Sequence, residues 1–221
     1  MTPDVHVVIV GAGFSGIGAA IQLERAGFGD YRIIEAGAEP GGTWYWNTYP
    51  GIAVDIPSFS YQFSFEQSAD WSRTYAPGHE LKGYAERCVD KYGLREKITF
   101  GTTVTSATFD DETHCWRIDL DTGESVNARF LINASGVLTV PNLPDIDGVE
   151  GFGGITMHTA RWDHSQDLTG KRVAVIGTGA SAVQVIPEIA PLAEHVTVFQ
   201  RTPIWCLPNW TCRCPPSPAG R

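Results

Sequence analysis

Val5-His6-Val7-Val8-Ile9-Val10 runs straight into Gly11-Ala12-Gly13-Phe14-Ser15-Gly16. The first six residues are β-branched and apolar with a single interruption, as in a parallel strand buried on both faces. Glycines at the first, third and sixth places of the second run suit a tight strand-to-helix turn. Gly11 permits the turn, Gly13 lets backbone N–H groups approach a pyrophosphate, and Gly16 lets helix and strand pack closely. Residues Ser15 to Ala26 read as a helix with Ile17, Ala20, Ile21 and Leu23 inward, stopped by Gly27. Tyr31-Arg32-Ile33-Ile34-Glu35 reads as the next strand, completing a βαβ unit. Glu35, about twenty residues past the glycines, stands where an acid hydrogen-bonds a ribose diol. The competing reading is a βαβ unit whose small residues serve packing alone.

A second fingerprint, Gly177-Thr178-Gly179-Ala180-Ser181-Ala182, follows the apolar run Val173-Ala174-Val175-Ile176. A helix from Ser181 to Ile189 and a strand His195–Gln200 complete its pattern. Two differences separate it from the first. Ala182 replaces the third glycine, and the second strand ends in Gln200-Arg201-Thr202 without an acid. An arginine there pairs with a 2′-phosphate that a glutamate would repel. An unphosphorylated adenosine ribose is therefore expected at the first site and NADP at the second, with Arg201 as a mere solvated charge the plainer alternative. Together they point to a flavin (FAD) plus NADPH enzyme.

Between the two, residues 36–77 carry Trp, Tyr, Pro and Gly without a clean period, as in a long functional or binding segment. His79–Lys91 reads as a helix. Phe100–Thr105, Cys115–Leu120 and Ser125–Ile132 read as strands, with a turn at Asp121-Thr122-Gly123. Pro141 and Pro144 mark a linker. The fold expected is α/β, a two-dinucleotide-binding-domain (Rossmann-like) flavoprotein. Residues 1–140 are expected to form a nearly complete FAD domain. Residues 141–210 form the linker and the start of an NADP domain, and 211–221 an irregular tail.

Bulk properties exclude several classes. The 221 residues are 43% hydrophobic and 19% charged, within the range of globular proteins. The net charge of −9 opposes nucleic acid or an anionic membrane as partner. No run of about 20 apolar residues suggests a span, and Val5–Ile21 lacks the basic leader of a signal peptide. A cytoplasmic location follows as the expectation. The five cysteines are odd in number and scattered, and Cys212-x-Cys214 has no second ligand pair, so no metal site is expected. Residues 36–68 contain no cysteine. That disfavours a flavin disulfide reductase, which needs a redox pair near its flavin.

One further stretch is more specific. Phe152-x-Gly154-x-x-x-His158-x-x-x-Trp162-Asp163 resembles the signature of the Baeyer–Villiger monooxygenases, a class B flavin-containing monooxygenase family. Gly41-Gly42-Thr43-Trp44-Tyr45-Trp46-Asn47, Tyr49-Pro50-Gly51, Asp55, Tyr61 and Ser64-Phe65 extend the resemblance over residues 4 to about 210. Thr48 departs from it, since many members carry arginine there.

The resemblance implies that NADPH reduces FAD and that O2 gives a C4a-peroxyflavin. One oxygen then enters a ketone to yield an ester or lactone. It also implies that Gly42, Thr43, Trp44, Asp55 and Tyr61 surround the flavin and that Val104 contacts the adenine through its backbone. Thr178, Gly179, Ala180, Ser181, Arg201 and Thr202 would hold NADP. Phe152, Gly154, His158, Trp162 and Asp163 would lie where two domains meet. Asp55 would hold an arginine that stabilises an anionic oxidant, and that arginine lies beyond residue 221. Plainer roles fit too: Trp44 and Tyr61 as core aromatics, Asp55 as a turn residue, His158 as an interior histidine.

Full members are roughly twice as long, so the resemblance implies that the FAD domain lacks its C-terminal return segment. The ending Thr211–Arg221 no longer resembles them. The expectation is a truncated or frame-shifted chain that binds FAD poorly and does not turn over. Two other readings stand beside it: an N- or S-oxygenating flavin monooxygenase, and a non-catalytic nucleotide-binding fragment.

Overall fold

The computed structural model describes residues 2–206. The chain forms two units, one made of residues up to Trp46 with Leu81–Thr139, the other of Asn47–Glu80 with Val140 onward. Cys212, Cys214 and the expected irregular tail 211–221 lie outside the described residues.

In the first unit, β1 (Val5–Val10) feeds helix α1 (Phe14–Arg25), which leads to β2 (Tyr31–Ile34). Val8 and Ile9 in β1, Ile17 and Ile21 in α1, and Ile33 in β2 are fully buried. Each such side chain contributes roughly 1.5–3 kcal/mol relative to an exposed one. Gly27 ends α1 as its position suggests. It takes a φ of +80° while Phe28 and Gly27 donate back to the Leu23 and Glu24 carbonyls.

Helix α3 (Gly78–Lys91) follows the short helix α2 (Thr43–Trp46) and a long irregular stretch, and precedes β3 (Ile98–Thr99). Then β4 (Val104–Asp110), β5 (Cys115–Leu120) and β6 (Ser125–Asn133) form a meander. The sheet order is β3-β2-β1-β6-β5-β4. The first three strands and β6 are parallel neighbours, and β5 and β4 continue antiparallel. Val5, Val8, Ile34, Ile118, Leu120, Val126 and Ala128 form one core cluster across this sheet.

The expected strand Phe100–Thr105 needs correction. The ladder breaks there, because Gly101 adopts a φ of +62° and the Gly101 and Thr102 N–H groups donate to the Gly37 and Glu35 carbonyls. This segment therefore crosses the end of β2, and pairing with β5 begins at Val104.

The second unit holds β7 (Arg172–Ile176), α4 (Ala180–Ile189) and β8 (His195–Phe199). β7 and β8 pair in parallel, Val175 opposite Val198. Tyr49, Val185 and Ile189 form its buried cluster, with Ile52, Trp162, Leu168 and Val173 packed against them.

Close packing fixes the identity of Gly16. A Cβ there would lie 1.9 Å from the Gly11 carbonyl oxygen, a backbone atom that cannot yield without moving the turn. At Gly153 a Cβ would meet nothing within 4 Å, and the residue lacks a positive φ. Gly16→Ala is expected to destabilise the chain by about 3 kcal/mol, the upper range for overpacking, despite alanine's better helix propensity. Gly153→Ala should be neutral or slightly stabilising. Urea unfolding of both variants checks the contrast.

Candidate nucleotide sites

The first glycine turn is built from three converging backbones. Gly11, at φ +100°, lies so near β6 that a Cβ would sit 2.6 Å from the Ala134 carbonyl oxygen. A Cβ on Gly42 would be 2.8 Å from Gly13 Cα, so Gly13 and Gly42 face each other without side chains. The Gly41 N–H donates to the Ala12 carbonyl at 3.0 Å. The Gly41-Gly42 turn is thereby anchored on the fingerprint, placing Thr43 and the buried Trp44 directly after it.

Glu35 is buried at the end of β2, and each of its carboxylate oxygens accepts one backbone hydrogen bond. One oxygen accepts from the Ala12 N–H at 2.5 Å and the other from the Gly37 N–H at 2.6 Å. The acid is held beside the glycine turn with its remaining lone pairs free for ribose hydroxyls. Helix α1 begins at Phe14 and Ser15 with no side chain capping it and no acid in its first turn. Its leading N–H groups and the positive end of its dipole suit a diphosphate. An adenine dinucleotide therefore fits this turn.

Gly37 is a residue of this turn that motif reading missed. A Cβ there would meet the Tyr45 ring at 2.7 Å and a Glu35 oxygen at 3.0 Å. Its signal was a glycine two residues after the acid. Val104 opens β4, half-buried against the sheet cluster.

The second turn is differently furnished. Gly177, at φ +105°, donates to the Phe199 carbonyl at 2.9 Å. Gly179 caps α4 without a side-chain bond, ahead of Ala180 and Ser181, and Ala182 is buried. Thr178 Oγ1 donates to the Thr202 carbonyl at 3.3 Å and accepts from Gln200 Nε2 at 3.2 Å. The turn is thus tied to the strand end that carries the exposed Arg201.

Within the same unit, Asp55 is exposed and Tyr61 is half-buried. Both lie on a strap held by residues that the motifs did not single out. The Val54 N–H donates to the Ala76 carbonyl at 3.0 Å. The buried Ser58 hydroxyl donates to the Thr74 carbonyl at 2.9 Å and accepts from the Ala76 N–H at 2.8 Å. The Tyr61 N–H closes a turn on the Ser58 carbonyl.

The signature 152–163 resolves into local devices. A Cβ on Gly154 would meet the exposed Phe152 ring at 2.7 Å, so the ring folds back over Gly154. His158 Nδ1 accepts from the Ala160 N–H at 3.0 Å and its carbonyl from the Arg161 N–H. Trp162 packs into the Tyr49–Val185–Ile189 cluster. Asp163 accepts from the Ser165 hydroxyl, the Gln166 amide and the Ser165 N–H. These bonds, the Ser165 hydroxyl's foremost, hold its carboxyl below the usual range. Thr48, the departure from the family pattern, lies 2.9 Å from His164 Nε2.

A family model described as pyridine nucleotide-disulphide oxidoreductase matches residues 8–209. A Baeyer-Villiger monooxygenase of Streptomyces coelicolor is 43% identical over 205 residues, 93% of this chain and 39% of that protein. One from Pseudomonas aeruginosa is 45% identical over 203 residues, 92% of this chain and 38% of that protein. The chain belongs to the class B flavin (Baeyer–Villiger) monooxygenase branch of this nucleotide-dependent oxidoreductase family.

Among solved structures, the enzyme OTEMO in complex with FAD and NADP superimposes with a TM-score of 0.90 at 40% identity. The match covers 96% of this chain and 42% of that one. Cyclohexanone monooxygenase from Rhodococcus sp. Phi1 bound to NADP+ gives 0.89 at 41%, covering 96% of this chain and 41% of that one. The chain thus spans about 40% of the length of these curated relatives, at their N-terminal portion. The α/β Rossmann-like flavoprotein fold read from the two fingerprints is the one observed. Among the described residues, no helix is long and apolar enough to cross a membrane.

Glu35→Gln tests the first turn. An amide presents one donor group to two backbone donors, leaving either the Ala12 or the Gly37 N–H without an acceptor. The cost expected is about 1–3 kcal/mol, the penalty of a buried unsatisfied group. Urea denaturation of the variant measures it.

Proposed function

We propose that the first turn binds FAD and the second NADPH. The reaction served is then ketone + O2 + NADPH + H+ → ester or lactone + NADP+ + water. The observation that carries the nucleotide assignment is the contrast between the two strand ends. Glu35 is buried and doubly hydrogen-bonded beside the first turn. Arg201 is exposed beside the second, on a strand end tied to Thr178. A carboxylate accepts from ribose hydroxyls and repels a 2′-phosphate; a guanidinium does the opposite.

Bound FAD would supply the two-electron chemistry between NADPH and O2. The chain's own residues bind and orient. The α1 N–H groups and Gly13 take the diphosphate, Glu35 the ribose, and the Val104 backbone the adenine. The resemblance assigns Gly42, Thr43 and Trp44, and likewise Asp55 and Tyr61, to the flavin's surroundings. Gly177, Thr178, Gly179, Ala180 and Ser181 take the NADPH diphosphate, and Arg201 with Thr202 the 2′-phosphate. The exposed carboxylate of Asp55 would hold a cationic side chain against the reacting centre. Phe152, Gly154, His158, Trp162 and Asp163 stiffen the segment leading to the second turn.

The ketone assignment rests on the relatives' printed activity and on the signature ending Trp162-Asp163. Side-by-side assay of ketones, amines and sulfides with a full-length relative carrying this chain's residues separates it from N- or S-oxygenation. For the purified 221-residue chain, no NADPH- and ketone-dependent O2 uptake is expected; steady uptake would overturn that.

The nucleotide assignment is tested more directly by Arg201→Ala. Charge-assisted hydrogen bonds contribute roughly 1.5–3 kcal/mol, so NADPH affinity should fall about tenfold to a hundredfold. NADH affinity should stay within twofold or so, having no 2′-phosphate to lose. Equal losses for both, measured by calorimetry, would remove Arg201 from the site.

A further inference from the structure

One side chain in the second unit joins three features that the fingerprints leave without a role. Gln184 lies on α4, one turn after Ser181. Its Oε1 accepts from the Tyr49 hydroxyl at 2.8 Å and more weakly from the Ala53 N–H at 3.4 Å. Its Nε2 donates to the Ala53 carbonyl at 2.9 Å. A single amide thus serves both backbone groups of Ala53, as a neighbouring strand would, and a phenol besides.

Backbone shape reinforces the grip. Gly51, at φ +80°, lies flat on α4, where a Cβ would sit 2.6 Å from the Gln184 carbonyl oxygen and 2.8 Å from Glu188 Cγ. Tyr49 is buried among Val185 and Ile189. Burial pushes its phenol up from the ordinary value, a hydrogen bond with Ser181 opposes this, and the charge of Asp55 adds to it. Tyr49 therefore stays a neutral donor at physiological pH, with its hydroxyl touching both the second fingerprint and Gln184. Asp55 follows two residues after Ala53 on the same strap, which Val54 and Ala53 pin to Ala76 and Pro77.

We propose that Gln184 is a positioning residue that ties the 49–55 segment, and so Asp55, to the helix whose N-terminus takes the second dinucleotide. It rests on the assignment of NADP to Gly177–Ser181. A ligand fixing the first turn of α4 also fixes Ser181 and Gln184, and with them the Tyr49 hydroxyl and the Ala53 peptide. Occupancy of the nucleotide site then orders the segment carrying Asp55. By linkage, ordering of that segment strengthens nucleotide binding by the same factor.

Hydrogen exchange of the 221-residue chain with and without NADP+ tests this, with affinity measured by calorimetry on the same samples. In the native chain NADP+ should slow exchange over residues 51–55 by about tenfold, a coupling in the usual range. Gln184→Leu should still bind NADP+, no more than about tenfold more weakly, and lose the slowing at 51–55. Tyr49→Phe keeps the ring in its cluster and removes only the hydroxyl, so part of the slowing should survive. A purely structural clamp would change exchange equally with and without nucleotide, which would overturn the proposal. So would equal nucleotide-dependent slowing in the native chain and Gln184→Leu, or NADP+ binding that leaves 51–55 unaltered in the native chain. Failure of the native chain to bind NADP+ would instead sink the nucleotide assignment, and this inference with it.

Discussion

The carboxylate of Glu35 receives the N–H of Ala12 and the N–H of Gly37, and the geometry of the first glycine turn depends on that pair of bonds. They fasten the end of β2 to the glycine turn between β1 and α1. Buried oxygens without such donors would carry an uncompensated desolvation cost. With them both oxygens of Glu35 are satisfied, and on the proposed assignment its side chain would meet a ribose. The same turn carries the next layer, because the Ala12 carbonyl accepts from Gly41 and sets the Gly41-Gly42 bend that delivers Trp44. Close approach without side chains at Gly11, Gly13, Gly16 and Gly42 makes room for all of this.

The second turn repeats the backbone logic with the opposite electrostatics. Its strand end offers a guanidinium, and its anchoring runs through Thr178 and Gln200 instead of a carboxylate. On the proposed assignment, one architectural element used twice would discriminate two dinucleotides through one residue at the tip of the second strand. The relatives that share the fold over nearly the whole chain include proteins seen with FAD and NADP together.

The elements that local periodicity controls were legible in the sequence. Val5–Val10, Cys115–Leu120 and the helix after Gly13 are set by apolar spacing and by glycines whose positions have steric causes. The break at Gly101 was not legible, because it arises from hydrogen bonds to Gly37 and Glu35, more than sixty residues earlier in the chain. Nor were the supporting residues of the candidate sites. Ser58 and Gln184 are ordinary polar residues in sequence, and only folding brings their partners to them. Trp162 shows the reverse: conspicuous as part of a signature, it packs into the apolar cluster with Tyr49 and Val185. Its spacing from His158 carries the resemblance, while its side chain does a core residue's work.

The central claim is that one chain carries two separate dinucleotide sites of opposite preference. Titrating FAD into the 221-residue chain, first alone and then in the presence of saturating NADPH, tests it most directly. Two separate sites predict one FAD and one NADPH bound per chain, with FAD still binding when NADPH is saturating. Displacement of either nucleotide by the other, with a total of one bound per chain, would contradict the account.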